Sequence, residues 1–431
     1  MPTVVSASEF RNMIDAARRG ERSLSVVDTR PENSFAGWRI ASSINYFYKP
    51  FHEFDRDEFA SETGIGPDET VVITCAKGKA SLDLGEKLAA AGYEDVYVID
   101  DGMRGWSAVY DHAAVPLPET GADVLDVVQI QRRAKGCLGY LVVGGTGPRS
   151  DGSRVAVADS DDSRVAVAVD VSRHGEEWRA AAEEYDAEIA ATLDTHVHAD
   201  HLSGGRALAD ELDVPYYLPA AAAERDVAHA FEPIGRNEVL DVGGVDLKAL
   251  ATPGHTDDMA SYLVGGSAVL TGDTLFTDGV GRTELQFAAA EEEPGADGEE
   301  PGAGTPSART GAERLYDSLH GTLLAEPDDV VVLPGHFSVA NDGTTGDVVP
   351  GEPVTTTVGE ARTGIEVLDR DRQSFIDRIT ATLPEKPPNY ESVIAANRGV
   401  ESPPDETAAI ELELGPNRCA AEPSPESEAD D

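Results

Sequence analysis

The chain has 431 residues, 40% of them hydrophobic, which is enough for two or three domains with their own cores. It carries 80 acidic and 34 basic residues, a formal net charge of −46, so nucleic acid and anionic membranes are not expected as partners. The acidic residues are spread along the whole sequence, which predicts adaptation to high salt. Three scattered cysteines, the absence of a long apolar run and the absence of a signal peptide predict a cytoplasmic protein.

Strands and helices alternate in the first hundred residues. A capping box, Ser6 to Glu9, opens a predicted helix through about Arg19. Short apolar strands are predicted at Leu24–Val27, Val71–Thr74 and Val96–Ile99. This alternation predicts an α/β domain with a parallel sheet, over residues 1–115.

Cys75 directly follows the second of these strands and precedes a helix. Backbone N–H groups and the positive end of the helix dipole meet at such a position, and both stabilise a thiolate. Lys77 and Lys79 add two positive charges to the same loop. We therefore expect a reactive thiolate that can hold a persulfide; the alternative is an inert buried thiol.

Several short motifs make residues 1 to about 112 similar to the rhodanese family. The matching pieces are Asp28–Arg30, Gly37–Ile40, the Cys75–Ser81 loop, Ala91–Tyr93, and Asp101-Gly102 with Trp106. The resemblance implies that Cys75 carries sulfur and that the loop cradles it. The residues implied to act there are Cys75, Lys77 and Lys79 as catalytic groups, with Ala76, Gly78, Ala80 and Ser81 contacting the substrate.

A second domain is predicted after the linker Pro116–Pro118. Cys137–Val143 is an apolar strand in which Cys137 is expected to be a core residue. Residues 153–158 (SRVAVA) recur as residues 163–168. Two copies do not make a solenoid, so we expect an extra hairpin formed by a duplicated strand.

Three histidines and an aspartate fall within six positions: His196, His198, Asp200 and His201. They follow the apolar stretch Ile189–Leu193, which predicts a strand that ends at the cluster. Packing four such polar groups together is costly unless they bind something, and a divalent metal fits. The alternative is a solvated polar loop.

Three later strands also end in a residue that can bind metal. Val245–Leu250 leads to His255, Ala268–Leu270 leads to Asp273, and Val330–Leu333 leads to His336. Each follows a Gly or Pro-Gly turn. This ordered series indicates one site at the ends of several strands.

The complete series resembles the metallo-β-lactamase fold, an αββα sandwich, over residues 123–400. Residues 272–286, together with Val358–Glu360, Leu383–Tyr390 and Asn397–Gly399, look like the persulfide dioxygenase branch, a sister of glyoxalase II. That resemblance implies one Fe(II) per chain on His196, His255 and Asp273. His198, Asp200, His201 and His336 would then lie around these ligands, or bind a second metal if the site is dinuclear.

The sequence therefore predicts a rhodanese domain fused to a persulfide dioxygenase that oxidises a small thiol persulfide with O2. Arg282 is the predicted steering group for the thiol, or else one half of a salt bridge. The alternatives are a thioester hydrolase like glyoxalase II, with two Zn(II) per chain, and a non-catalytic sulfur carrier. A homo-oligomer is compatible with the sequence.

Two further segments are expected to lack regular structure. Residues 288–311, rich in Glu, Pro, Gly and Ala, predict a disordered insertion that either shapes access to the site or is a solvated loop. Residues 401–431, rich in Pro, Glu and Ser, predict a mobile acidic tail.

Overall fold

The computed structural model describes residues 1–118, 125–144, 155–157, 164–285, 306–381, 383 and 386–421. The N-terminal elements are β1 Thr3–Val5, α1 Ala7–Arg18, β2 Ser25–Asp28, α2 Glu32–Gly37, β3 Ile44–Asn45, α3 Arg56–Thr63, β4 Val71–Thr74, α4 Lys79–Ala90, β5 Val96–Ile99 and α5 Gly102–Ser107. All strand pairings in this part are parallel, in the order β1-β5-β4-β2-β3. The predicted parallel-sheet fold is confirmed.

Local chemistry sets the start of the first helix. The Ser6 hydroxyl accepts from the Glu9 amide at 3.1 Å, and the Glu9 carboxylate accepts from the Ser6 amide at 2.7 Å. Both bonds of the predicted capping box are therefore present. The helix buries Phe10, Met13 and Ile14, whose spacing puts them on one face toward the sheet.

In the remainder of the described chain, the strands form two seven-stranded sheets. Their strands are β6 Tyr110–Val115, β7 Asp126–Arg132, β8 Cys137–Gly144, β9 Val155–Val157, β10 Arg164–Val169, β11 Ala187–Leu193, β12 Tyr216–Pro219, β13 Glu232–Ile234, β14 Val239–Val242, β15 Val245–Ala251, β16 Ala260–Val264, β17 Ala268–Gly272, β18 Val331–Pro334 and β19 Thr356–Thr357. The helices are α6 Glu176–Glu184, α7 Gly205–Leu212, α8 Pro306–Gly321, α9 Val358–Gly364, α10 Arg372–Ala381, α11 Tyr390–Asn397 and α12 Glu406–Leu412, with 3₁₀ turns at Ala220–Arg225, Leu323–Ala325 and Glu366–Asp369.

The two sheets pack face to face with helices on both outer surfaces. One sheet has the order β13-β12-β11-β10-β8-β7-β6 and the other β19-β18-β17-β16-β15-β14-β9. Val142 and Val167 of the first sheet share a buried cluster with Leu247 and Tyr262 of the second. Helices α6 and α7 cover the outside of the first sheet, and α8, α9 and α10 cover the outside of the second. This is the predicted αββα sandwich.

The C-terminal sandwich begins earlier in the sequence than the predicted limit of residue 123. Strand β6 pairs with β7 along its whole length, from Tyr110 opposite Arg132 to Val115 opposite Val127. The stretch alternates buried and less buried residues, as an edge strand does. Residues 110–115 therefore extend the second fold, although the prediction assigned them to the first.

The two copies of the repeat do not form a hairpin. Strand β10, from the second copy, lies between β8 and β11 in the first sheet. Strand β9, from the first copy, pairs with β14 in the other sheet. The prediction was wrong because neighbouring strands, and not the repeated residues, decide where each copy pairs.

The prediction of a mobile tail at residues 401–431 is wrong for residues 401–421, which the structure describes. Helix α12 starts at an N-cap, Asp405, whose side chain accepts from the Ala408 amide at 2.9 Å. Glu413 and Cys419 are buried, and Ala420 forms a β-bridge with Gly281. The few apolar and ion-pairing residues in this stretch are enough to hold it against the rest of the protein, although its overall composition is typical of a disordered segment.

Residues 288–305 of the predicted insertion lie outside the described residues, and residues 306–311 begin helix α8. Within the described residues, none of the helices combines the length and the apolar character needed to cross a bilayer.

Candidate metal centre and cysteine loop

The metal-binding residue types converge because four strands end at one edge of the sandwich. The loop after β11 carries the histidine cluster, and His255, Asp273 and His336 follow β15, β17 and β18. All seven predicted side chains are buried, with at most 3% of their surface exposed: His196, His198, Asp200, His201, His255, Asp273 and His336. The structure thus brings together at one sheet edge the seven side chains that the sequence singled out as candidate ligands.

Three of these side chains form a compact group. Nε2 of His255 lies 3.4 Å from Oδ2 of Asp273, and Nε2 of His196 lies 3.9 Å from the same oxygen. All three atoms are buried, and none has a hydrogen-bond partner in the described part of the chain. Leaving buried nitrogen and oxygen atoms unpaired is costly, so the arrangement fits a bound cation. A two-histidine, one-carboxylate donor set suits iron or zinc.

The electrostatic surroundings keep these donors ready for a metal. Burial lowers the pKa of His196 and of His255, which favours neutral rings with a free lone pair. Burial alone would raise the pKa of Asp273, but the nearby His336, with its hydrogen bond, and then His255 and His196 hold it below its ordinary value. Asp273 is therefore a carboxylate that can accept a cation.

The remaining ligand-type residues bond to one another. His201 Nδ1 lies 3.0 Å from Oδ1 of Asp200, and His336 Nε2 lies 3.0 Å from its Oδ2. The other nitrogen of His336, Nδ1, lies 2.6 Å from Oδ1 of Asp273. Burial alone would lower the pKa of His336, yet the two carboxylates raise it well above the ordinary value. This part of the cluster is held together by its own hydrogen bonds.

His198 stands between the two groups and bonds elsewhere. Its Nε2 lies 3.2 Å from Oδ1 of Asp170, a residue with φ of 47°. The same Asp170 oxygen accepts from the Thr195 amide at 2.7 Å. Because Thr195 Oγ1 lies 2.9 Å from His196 Nδ1, Asp170 orients the loop that carries His196.

Glycines allow the strand ends to approach Asp273. A Cβ at Gly281 would lie 1.9 Å from the Asp273 carbonyl oxygen. A Cβ at Gly335 would lie 2.6 Å from Oδ1 of the same residue. Both contacts are shorter than side chains allow, so the site requires glycine at these two positions.

The Cys75 loop lies where the sequence predicted it, between β4 and α4. Gly78 adopts φ of 77° and begins the helix. Ser81 Oγ lies 3.3 Å from the buried Cys75 Sγ and 3.0 Å from the Gly78 carbonyl oxygen. Lys77 and Lys79 are exposed, as is Ala76, and Ala80 is half-buried. Ser81 is therefore the predicted cradle residue whose side chain contacts the thiol.

Comparison with known proteins assigns both parts of the chain. Residues 6–109 match the rhodanese-like domain, and residues 166–336 match the metallo-beta-lactamase superfamily. Over 214 residues the chain is 30% identical to a cytoplasmic hydroxyacylglutathione hydrolase of Arabidopsis thaliana, covering 48% of this chain and 70% of that relative. The chain belongs to the metallo-beta-lactamase superfamily.

Other relatives of the metallo-beta-lactamase domain are named either as persulfide dioxygenases or as hydroxyacylglutathione hydrolases. A mitochondrial persulfide dioxygenase ETHE1 of Mus musculus is 26% identical over 215 residues, 49% of this chain and 70% of the relative. A probable hydroxyacylglutathione hydrolase of Schizosaccharomyces pombe is 31% identical over 153 residues, 35% of this chain. The chain spans about half the length of that relative, 48%. The crystal structure of ETHE1 from Myxococcus xanthus is 25% identical, with a TM-score of 0.47, covering 64% of this chain and 99% of that one.

The structure does not support Arg282 as a steering group for the substrate. In the metallo-beta-lactamase domain its guanidinium is fully buried, with Nε 2.6 Å from Oε1 of Glu284. Its Nη1 donates to the carbonyl of Arg418 at 2.8 Å. The salt-bridge alternative therefore describes the Arg282 side chain, which ties the C-terminal segment to the site.

Sequence reasoning missed two cysteines of the metallo-beta-lactamase domain that border the metal cluster. Cys137, predicted as a core residue, has its Sγ 3.2 Å from Oδ2 of Asp200. The Cys419 sulfur lies within 4.8 Å of donor atoms of Asp200, Asp273 and His336. The position of Cys137 at the start of a strand gave no signal, and Cys419 was assigned to a mobile tail.

Asn397 was also missed as a residue that shapes the metal-binding loop. Its side-chain amide donates to the carbonyls of His198 and His201 at 2.9 and 2.8 Å. Its Oδ1 accepts from the Ser203 amide at 2.9 Å. The signal was present in the sequence, since Asn397–Gly399 was one of the stretches that carried the family resemblance.

Proposed function

We propose that this protein is a persulfide dioxygenase with a sulfur-transfer domain. The metallo-beta-lactamase domain would catalyse R-S-SH + O2 + H2O → R-SH + sulfite + 2 H⁺, in which the outer sulfur is oxidised and O2 is reduced. The rhodanese-like domain would move sulfane sulfur on Cys75. The high acidic content leads us to propose in addition that the protein works in high salt.

One observation carries the proposal. The unpartnered buried atoms of His196, His255 and Asp273 belong to one compact group, whereas Asp200, His201 and His336 are linked by their own hydrogen bonds. A single metal on the first group therefore needs no rearrangement of the second. One metal with three protein ligands leaves coordination positions for other molecules.

His196, His255 and Asp273 would hold the metal. Fe(II) held there would supply the redox chemistry with O2 and a Lewis-acid site for the substrate sulfur. His336 bridges the Asp273 and Asp200 carboxylates, so it fixes the orientation of Asp273 and places a positive charge beside the site. Cys137 and Cys419 lie on the side of the cluster formed by Asp200 and His336, where their sulfur atoms are close to the donor atoms of those two residues.

Cys75 would exchange sulfur by two displacements. Its thiolate attacks the outer sulfur of thiosulfate, an S–S bond forms on Cys75, and sulfite leaves with the electron pair. A small thiolate then attacks the Cys75 persulfide, takes the outer sulfur as R-S-S⁻ and regenerates the Cys75 thiolate. The product of this exchange is the substrate of the metal domain, and their fusion raises its local concentration.

The second candidate is a dizinc hydroxyacylglutathione hydrolase. The observation in its favour is that all seven ligand-type residues are gathered at the sheet edge, including the set around Asp200. Two relatives with that name also match the same domain. This reading gives no role to Cys75, and it requires the hydrogen bond of His336 to one of the two carboxylates to be replaced by a metal bond.

The test is metal analysis of anaerobically purified protein combined with an oxygen electrode. We expect about one iron per chain and oxygen uptake that depends on glutathione persulfide. Two zinc ions per chain with hydrolysis of S-lactoylglutathione would reject the dioxygenase proposal. Both substrates are assayed on the same preparation, so that loss of folding is not mistaken for absence of one activity.

A further inference from the structure

The C-terminal segment places a carboxylate on the rhodanese-like domain, beside the Cys75 loop. Oε1 of Glu411, in α12, lies 3.1 Å from Nζ of Lys77. The same oxygen accepts a hydrogen bond from the guanidinium of Arg104. One carboxylate oxygen therefore bridges two cations that belong to a different domain.

One of these two cations belongs to the thiol loop and the other lies next to it. Lys77 is two residues beyond Cys75. Arg104 is in α5, which is pressed against the loop, since the Met103 amide donates to the Cys75 carbonyl at 2.8 Å. A Cβ at Gly102 would lie only 2.1 Å from that carbonyl oxygen. The loop and α5 are thus in close contact, and each carries one of the two cations that Glu411 bridges.

We propose that Lys77 and Arg104 form an anion-binding position beside Cys75 and that Glu411 occupies it. An anionic sulfur donor or acceptor, such as a sulfur oxyanion, has to displace Glu411, whereas an uncharged one does not. Glu411 is thereby a specificity-determining residue of the Cys75 site. The identity of the anion rests on the proposed function, but the competition itself does not.

Exposure and anchoring support this role. The Glu411 side chain is 48% exposed and can swing into solvent, while Arg104 is 10% exposed and fixed. Two residues later, Glu413 is buried and accepts from Arg173 at 2.6 Å and from Arg132 at 3.2 Å. Because Glu413 anchors the segment, Glu411 stays close to the two cations and competes at a high effective concentration.

The experiment compares two alkylating agents of nearly equal size. Iodoacetate is an anion and iodoacetamide is neutral, and each converts the Cys75 thiolate to a thioether with release of iodide. The rates are followed by mass spectrometry of the Cys75 peptide after reaction of the full chain, which separates Cys75 from Cys137 and Cys419. The quantity of interest is the ratio of the iodoacetate rate to the iodoacetamide rate.

Glu411→Gln keeps the side-chain size and removes the charge. We expect the ratio to rise about fivefold, the effect of one unit charge at about 4 Å in water, and the rise to shrink in molar salt. Adding Arg104→Gln to Glu411→Gln should lower the ratio again. Glu406→Gln is the matched control: it alters the same helix, but its partner is Arg173, so the ratio should not change.

An unchanged ratio in a folded Glu411→Gln protein would overturn the inference, and so would an equal rise in Glu406→Gln. Alkylation requires neither a metal nor sulfur transfer. If the ratio rises but thiosulfate is not a donor, the competition stands and the proposed sulfur-transfer function fails. If sulfur transfer occurs while the ratio is unchanged, the function stands and the role of Glu411 fails.

Discussion

His255 Nδ1 lies 2.9 Å from the backbone carbonyl oxygen of Arg282. A carbonyl can only accept, so Nδ1 carries the proton, and Nε2 is the nitrogen left with a lone pair toward Asp273. The contact uses the main chain, so any residue able to adopt this backbone conformation would serve. The tautomer of His255 is therefore set by the fold around residues 281–283.

Removing a ligand of the compact group should empty the metal site. We expect His255→Ala and Asp273→Ala each to lose bound metal, because each removes one of three donors, and to abolish oxygen uptake. His336→Ala should keep its metal and lose only part of the activity, since it acts through Asp273. Metal content by plasma mass spectrometry checks this.

His320→Ala is the matched control for these histidine variants, since His320 is half-buried and stacks on Tyr316 away from the cluster. It should retain full metal. If His336→Ala empties the site as thoroughly as His255→Ala does, the mononuclear assignment is wrong and two metals are indicated.

Cys75→Ser should separate the two proposed reactions. A serine hydroxyl of similar volume cannot form a persulfide, so sulfur transfer from thiosulfate should vanish while the fold survives. Oxygen uptake with a pre-formed small persulfide should persist near the unmutated rate. Uptake driven by thiosulfate plus thiol should fall, since it needs Cys75 to make the persulfide.

Asp273→Ala is the complementary variant to Cys75→Ser. We expect it to retain sulfur transfer from thiosulfate and to lose oxygen uptake, both with pre-formed persulfide and with thiosulfate plus thiol. Should Cys75→Ser also stop oxidation of the pre-formed persulfide, the substrate would have to arrive on Cys75 itself. The two-site scheme would then be replaced by a single relay.

Glu413 should make stability depend on pH in the acid range. Burial would raise its pKa, but Arg132 and Arg173 lower it from 4.5 to about 2. A folded-state pKa below the unfolded value stabilises the fold above about pH 4.5, and this contribution is lost as the pH falls toward 2. We expect Glu413→Gln to cost about 3 kcal/mol at pH 7, with a gap that narrows below pH 4.5.

Urea unfolding of both proteins between pH 7 and pH 3.5 measures this gap. Glu406→Gln is the control, because Glu406 is 73% exposed and its ion pair with Arg173 should contribute little. A gap that stays constant over this pH range would contradict the assignment of the stabilising charge to Glu413.

The net charge of −46 should make folding depend on salt. Repulsion between like charges acts over about 30 Å at 0.01 M salt but only about 3 Å at 1 M. We expect the melting temperature to rise markedly between dilute buffer and molar potassium chloride. A melting temperature that does not change with salt would refute adaptation to high salt.

The sequence was informative where a local pattern determines local structure. Apolar stretches such as Val71–Thr74 and Val96–Ile99 became strands with the predicted bounds, and the capping box at Ser6 opened its helix. Residues that follow strands, such as His255 and Asp273, could be placed together because the strands of a sandwich end at common edges. These inferences required no knowledge of distant contacts.

What could not be predicted depends on contacts between remote parts of the chain. Composition suggested that residues 401–421 were mobile, but the burial of Glu413 against Arg132 and Arg173 depends on partners more than 200 positions away. Cys419 reaches the metal cluster for the same reason. The guanidinium of Arg282 pairs with Glu284, two residues away. The sequence spacing alone could not distinguish this salt bridge from a role in steering the substrate.

Strand β6 determines where the chain can be cut to express the C-terminal domain as a separate fragment. It is the edge strand of a seven-stranded sheet and pairs with β7, yet it precedes the proline-rich linker at residues 116–118. A C-terminal fragment that starts after the linker would leave the hydrogen-bonding edge of β7 uncovered, and such an edge recruits strands from other molecules. That fragment should aggregate on expression, whereas one that begins after Ser107 retains β6 as the native edge strand of the sheet.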